Sequence, residues 1–426
     1  MKYSHNSEQL AIFDFNGVLQ IPLDQDNELV SMAKLIPWDE LVDLVSTKYS
    51  SKMGRKAKSI KMMLGLEVLK RKYGLSDEDV VERFKTDITF QYFCGFNSFV
   101  NEKDFLDASS MTIFRGRLDK ELLEKIENVV VGRLIKYVPK KRRHSIIADS
   151  TCLPANITYP TDTKLLSRVY EKLLKVGKEI GMKVIRGKRK IKAFIRGFNL
   201  KRNKTKKEIA SARKKLVRAT KGLLGKIRNK VGQVTNTILE TAQKIIEQQN
   251  ARNQGKTNVI ENRIVSFHEP DVRPIKRGKD GNKCEFGKKL GLSVIGEGLL
   301  VRTKIDNNNF DDRELIQATI EKHNRVTGHN PTEIIMDRGG DSKKNHDELK
   351  ERRIKDGVQR KGRQKDKPTR VQKRQRNRRS VVEGKIGTAK HRYGLNKNRY
   401  KEKNAEVWVT FGLTVMNLTW ATRKAA

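Results

Sequence analysis

Three carboxylates offer the clearest chemistry in this chain. Asp149 closes the apolar run His144-Ser-Ile-Ile-Ala-Asp149, and Asp337 closes a second, Glu333-Ile-Ile-Met-Asp337. Runs of this kind are expected of buried strands whose tips carry functional groups. Glu383 follows in a stretch with helical spacing. If the fold brings these acids together, each charged pair at about 4 Å repels by about 4 kcal/mol at an effective dielectric of about 20. A divalent cation resolves that repulsion. Two such ions about 3.5–4 Å apart can activate a water or a 3′-hydroxyl and stabilise the leaving oxygen of an in-line phosphoryl displacement.

The helix expected around Glu383 adds two cations. Arg379 and Lys390 stand four residues before and seven after the glutamate, and at about 100° per residue all three fall within about 40° of one line. A carboxylate flanked by cations suits a metal beside a phosphate backbone. The bland alternative is a surface ion pair worth at most about half a kcal/mol, and a single aspartate at a strand end is most often a cap or turn residue. Arg376 and His391 flank the same stretch as phosphate contacts. Asp162 either approaches the site from the loop after the first strand or, the favoured role, is the N-cap of a helix ahead of Leu165. Asp306, Asp311 and Asp312 read as turn and cap residues. None of the seven histidines pairs at a metal-ligand spacing. Gly278–Gly281 reads as a loop, and with no G-x-x-x-x-G-K-[ST] motif no use of ATP is expected.

The elements that must position these residues follow an α/β order: strand, helical insertion, two or three strands, helix, strand, helix, strand, helix. Functional groups in such sheets collect outside the strand ends. Residues 262–268 and 288–295 read as strands, the latter pairing with 298–305 through Gly-Glu-Gly; residues 311–326 read as a helix. From Val30 to Ile135 the spacing predicts short amphipathic helices, with Ser76 as an N-cap before Asp77, Glu78 and Asp79. An aromatic cluster, Phe90, Tyr92, Phe93, Phe96 and Phe99, follows; a helix-turn-helix and an ordinary helical packing domain both remain open. From about Thr163 to Asn262 a long helical hairpin is expected. Between Lys183 and Lys230 it holds twenty Lys or Arg against one acid, Glu208. The expected domains are 1–140, helical; 141–162 with 263–426, catalytic; and 163–262, a basic insertion.

Composition names the partner class. With 92 Lys and Arg against 50 Asp and Glu, the formal charge is +42 over 426 residues, far beyond what solubility asks of a domain. A polyanion is implied, nucleic acid before membrane, because the charge is spread along the chain and beside no apolar anchor. Three dispersed cysteines without a C-x-x-C pair speak against a disulfide scaffold and a zinc finger. With no signal-like or membrane-spanning run, a reducing cytoplasm is expected.

Taken together, these motifs resemble those of the DDE transposases of bacterial insertion sequences. Ile-Ala-Asp149-Ser-Thr and Ile-Ile-Met-Asp337-Arg-Gly resemble the two aspartate motifs of that family. Its glutamate-helix signature, R-x3-E-x6-K, is met by Arg379, Glu383 and Lys390, with Arg376 where the signature has tyrosine. Leu75-Ser-Asp-Glu-Asp-Val-Val with Phe93-Cys-Gly-Phe resembles the family's N-terminal helical domain. The resemblance implies an RNase H-like catalytic domain and two Mg2+ ions, with Mn2+ able to substitute. Asp149 would bridge both ions, Asp337 and Glu383 would hold one each, and Arg379 and Lys390 would position phosphates. Water would attack first, freeing a 3′-hydroxyl that then attacks target DNA. It also implies double-stranded DNA, both element ends and target, as partner, a homodimer when DNA is bound, and a nucleoid-associated bacterial protein. The competing expectations are a nuclease that cuts without joining, a non-catalytic DNA-binding protein that occupies element ends, and an architectural nucleoprotein.

Overall fold

The computed structural model describes residues 23–425 except 25, 51, 97–99, 101–104, 183–186, 232–236, 256–261, 277–283 and 363–366. Phe99 and the Gly278–Gly281 loop lie outside the described residues. The fold is mixed α/β, and the chain divides into two compact units: Met1–Leu153, Lys289–Asp306 and Phe310–Ala426 form the first, Pro154–Lys288 and Asn307–Asn309 the second.

Among its described residues the first unit begins with α1 (Glu28–Leu35), α2 (Trp38–Ser46), α3 (Ile60–Tyr73), α4 (Asp77–Thr86), α5 (Ile88–Phe93), α6 (Ala108–Arg115) and α7 (Lys120–Leu134). Local chemistry sets their ends. Gly74, at φ 68°, closes α3 in the left-handed conformation that glycine adopts without a Cβ clash. Ser76 then opens α4 with a capping box, accepting from the Asp79 N–H while Asp79 accepts from its own. Arg115 binds Glu67 at 2.7 Å and Asp77 at 2.5 Å, which cross-links α3, α4 and α6 inside their apolar packing.

The sheet that follows contains β1 (Ser145–Pro154), β2 (Arg273–Lys276), β3 (Cys284–Ile295), β4 (Leu299–Asp306), β5 (Glu333–Met336) and β6 (Lys355–Val358). Its order is β2-β3-β1-β5-β6, with β4 paired to β3. β1, β5 and β6 run parallel, whereas β3 and β4 form an antiparallel hairpin. Glu297 turns that hairpin at φ 66° between two glycines. Residues 262–268, expected as a strand, are irregular, and the strand in that region is β2. The apolar residues there serve another purpose: Ile264 and Phe267 pack into the helical core of the second unit.

Both faces of the central strands are covered, which explains their unbroken apolar runs. Ile146, Ala148, Ile334 and Met336 face the core shared with α7 and α12 (Leu315–Thr327). Ile147 and Ile335 face the opposite core, built with α14 (Arg370–Arg392) and α15 (Ala405–Ala425). Between β5 and β6 runs α13 (Lys343–Glu351). α15 is buried along nearly its whole length. Among the described residues, no helix is long and apolar enough to cross a membrane.

The second unit is more than the expected hairpin. α8 (Asp162–Glu179), α10 (Lys206–Val231) and α11 (Thr237–Asn253) pack around their own core of Leu166, Val169, Leu173, Leu224, Ile227 and Ile245, with α9 (Lys188–Leu200) alongside. A long amphipathic stripe cannot be buried by one partner helix, so three share it. Thr161 is the N-cap of α8 and Asp162 its first residue. The Asp162 carboxylate pairs with Arg213, Arg252 and Arg263, all within this unit.

Candidate active site

Parallel pairing sets the aspartates side by side. β1 and β5 are in register at Ile147 and Ile335; strand alternation puts Asp149 on the face of Ile147, and Asp337 stands at the matching position in the chain, two residues beyond Ile335. β5 ends at Met336, so Asp337 leaves the sheet and accepts the Gly339 N–H at 2.8 Å as cap of a 3-10 turn, Arg338–Gly340. β1 differs from the sequence expectation: it does not end at Asp149 but continues to Pro154. Asp149 is therefore held by strand on both sides, beside the gap where its neighbour strand has stopped.

The face that carries Ile147 and Ile335 is the one covered by α14, and this brings Glu383 to the same side. Thr369 caps α14, with Gln372 completing a capping box. Gln375, Val382, Ile386 and Ala389 form its buried stripe, leaving Glu383, one residue on from Val382, with 61% of its side chain exposed. Arg379, one turn earlier, places a guanidinium nitrogen 3.5 Å from Glu383 Oε1 and 4.0 Å from Asp337 Oδ2. The structure thus gathers Asp149, Asp337, Arg379 and Glu383. Arg376 and His391 are exposed on α14, and Lys390 lies in its last turn, about two turns beyond Glu383.

Electrostatics mark Asp149 as the strained member. Burial pushes its carboxyl up to about 6, and the negative charges of Asp337 and Asp312 push the same way. The Ser150 N–H, which donates to Asp149 Oδ1 at 2.7 Å, and the Arg379 guanidinium pull it back down. A hard divalent cation suits such a donor set, because it stabilises the ionised form that burial opposes. Asp312, close enough to add to that repulsion, is itself ion-paired, with Lys289 Nζ 2.9 Å from its Oδ1. Among the described residues no three ligand-type side chains are close enough to form a ready-made metal cage; Glu383 leans toward Arg379 instead.

Sequence reasoning missed the residues that dock α14. Arg378 reaches three partners at once: Glu333 Oε2 at 2.6 Å, Ser145 Oγ at 2.8 Å and Glu297 Oε1 at 3.0 Å. Gln375 donates to Glu333 Oε1 at 3.0 Å. Ser145 and Glu333 are the first residues of β1 and β5, so one guanidinium ties the glutamate helix to the base of both aspartate strands. A polar residue opening each buried strand was the available signal; Arg378 itself is hidden in a run of arginines.

Residues 18–117 match the model of a family described as "Transposase domain (DUF772)", and residues 334–419 match one described as "Transposase DDE domain". The chain belongs to the DDE transposases of insertion sequences. A relative from Rhizobium meliloti, "Uncharacterized protein ORF8 in nfe locus", is 31% identical over 172 residues, which cover 40% of this transposase and 82% of the relative. No solved structure matches. The DDE match of the transposase includes Asp337, Arg379 and Glu383, whereas Asp149 lies in the stretch between the two family matches.

Proposed function

We propose that this transposase cleaves DNA at the ends of its insertion sequence and joins them to target DNA, with Asp149, Asp337 and Glu383 as the catalytic carboxylates of an RNase H-like domain. The observation that supports this reading is that Asp149 of β1 and Asp337, just past β5, both lie beside Arg379 of α14, which also pairs with Glu383. Two neighbouring strands supply the fixed acids and a helix supplies the third.

DDE transposases generally use divalent metal ions, and Mg2+ fits the all-oxygen donor set here, with Mn2+ as a substitute. When bound, the ions supply Lewis acidity to the attacking and leaving oxygens. The chain's own residues have separate tasks. Asp149, held by strand on both sides, and Asp337, fixed by the Gly339 N–H, would be rigid metal ligands. Glu383, now paired with Arg379, would be the third ligand, and the Arg379 guanidinium would hold a DNA phosphate. Lys390, Arg376 and His391 extend the phosphate track along α14. Residues 1–140 act as the helical DNA-binding and dimerisation region, and the basic helices of the second unit neutralise backbone phosphates. A homodimer on DNA in the bacterial cytoplasm follows from the need to cut both ends together.

The test is cleavage and strand transfer on a fragment carrying the element's own ends, in Mg2+, for wild type and for Asp149→Ala, Asp337→Ala and Glu383→Ala. Both reactions should disappear in each variant while end binding persists. Normal cutting by any of the three would remove that residue from the mechanism. A wild type that binds ends without ever cutting would leave a non-catalytic DNA-binding protein.

A further inference from the structure

We propose that a cavity in the second unit, between the start of α8 and β3, binds an unpaired nucleotide of a DNA strand; the inference rests on the DNA-binding part of the reading above. The cavity, of about 380 Å3, lies wholly among residues of that unit and falls within the roughly 300–1,000 Å3 usual for ligand sites. Leu165, Ile264 and Phe286 give it apolar walls, and Tyr159, Arg252 and Arg263 complete its lining. Tyr159 is 71% exposed. Its ring meets that of Phe286 at 90°, with centroids 5.6 Å apart, a contact that fixes the tyrosine while most of its surface stays in solvent. An aromatic ring held open beside an apolar hollow is a stacking platform for a planar ligand.

The charge beside the ring identifies the other half of the ligand. Asp162, buried at the start of α8, is the shared partner of Arg213, Arg252 and Arg263, and Gln249 also donates to it, at 3.1 Å. One carboxylate thus holds three guanidinium groups in place, and three positive charges against one negative leave the cluster cationic. Arg252 and Arg263 each use a single terminal nitrogen on Asp162, so both forks keep further N–H groups able to meet a phosphate. Ile209, which also lines the cavity, belongs to the first turn of α10. The exposed Lys206 and Lys207 of that turn continue the positive charge past the cavity, as a strand with more than one phosphate requires. A base inside a duplex has its faces covered by its neighbours. Only an unpaired base can lay a face on Tyr159 and enter the apolar hollow while its phosphate meets the arginines.

The experiment measures binding of the full-length protein, by fluorescence anisotropy, to two labelled duplexes of one sequence, one fully paired and one carrying a single unpaired adenine. Wild type should prefer the second. Tyr159→Ala should weaken binding to it roughly ten- to a hundredfold, the loss typical of a base–aromatic stack, and leave the paired duplex bound as before. Tyr159→Phe keeps the ring and should keep the preference; a Phe variant that loses it as completely as the Ala variant would sink the stacking role. Arg263→Gln should lower the log–log salt slope for the unpaired-base duplex by about 0.7–0.9, the value of one phosphate contact. Equal wild-type affinity for the two duplexes, or a preference that survives Tyr159→Ala, would overturn the proposal and leave DNA binding intact. Failure to bind either duplex takes down the DNA-binding reading itself, and the inference with it. Deoxyadenosine monophosphate is the third probe and should bind far more weakly than the unpaired-base duplex; equal affinity would make the cavity a small-molecule site and reject the strand as its occupant.

Discussion

Asp149 and Asp337 each stand two residues beyond the paired Ile147 and Ile335, Asp149 inside β1 and Asp337 just past the end of β5. Equivalence of position is also equivalence of charge, and the cost falls on the more buried member. Asp149 is raised to about 6, foremost by burial, while the fold retains an acid where an apolar residue would pack more easily.

That cost can be measured. In metal-free protein, Asp149→Asn should raise the stability at pH 7 by up to about 2–3 kcal/mol, since raising a carboxyl by about one pH unit costs the folded state about 1.4 kcal/mol. The sign follows from the direction in which burial moves the group. A carboxyl raised in the folded state destabilises it wherever it is ionised, so the advantage of asparagine should be full above about pH 6 and fade toward pH 4. Urea denaturation at about pH 4 and pH 7, with chelator present, checks this; an equal gain at both values would rule out the charge as the cause.

Arg378 should matter to stability and catalysis together. Arg378→Met takes the nearest positive charge from the nearly buried Glu333 carboxylate, leaving it the Ser145 and Gln375 hydrogen bonds and a longer pair with Lys355, and should cost about 2–4 kcal/mol. Combining it with Glu333→Gln should recover part of that loss, because the two residues share one interaction. Thermal denaturation of the two single variants and the double variant gives the coupling. End cleavage should fall in Arg378→Met even at temperatures where the protein is folded, since α14 carries Glu383.

Acidification should weaken the fold through His323. This residue is 2% exposed, lies 3.0 Å from His144 and has an unpartnered Nδ1. Burial, with the neighbouring His144 and His329, lowers it to about 4. Its contribution is complete above the unfolded value near 6.5 and is lost as pH falls toward 4, by up to about 3 kcal/mol. His323→Gln should flatten the stability profile across that window. A profile as steep as that of wild type would place the acid sensitivity elsewhere.

The basic helices of the second unit should reveal themselves in salt. Lys188, Arg189, Lys190, Lys206, Lys207 and Lys214 are exposed on α9 and α10. Changing all six to Gln should weaken DNA binding broadly and lower the log–log salt slope by about 0.9 per lost phosphate contact. Filter binding between about 50 and 200 mM salt would detect the change; an unchanged slope would remove these helices from the DNA interface.

The sequence by itself determined the local pieces of this protein: Ser76 as a helix start, the apolar runs before Asp149 and Asp337, the basic stretch, and the spacing of Arg379, Glu383 and Lys390. Caps, periodicity and charge are short-range properties, written in residues a turn or a strand apart. Only the tertiary structure decided which of these pieces meet. The extension of β1 past Asp149 depends on pairing with distant strands, and the irregular 262–268 segment, apolar enough for a strand, is drawn instead into a helical core. Arg378, one of several arginines in a row, is singled out because it faces Ser145, Glu297 and Glu333. Asp311 and Asp312 are adjacent in the chain and alike in chemistry, yet one caps a turn and the other pairs with Lys289 of β3. Neighbours in sequence point in different directions, and what each then meets is set by elements tens or hundreds of residues away.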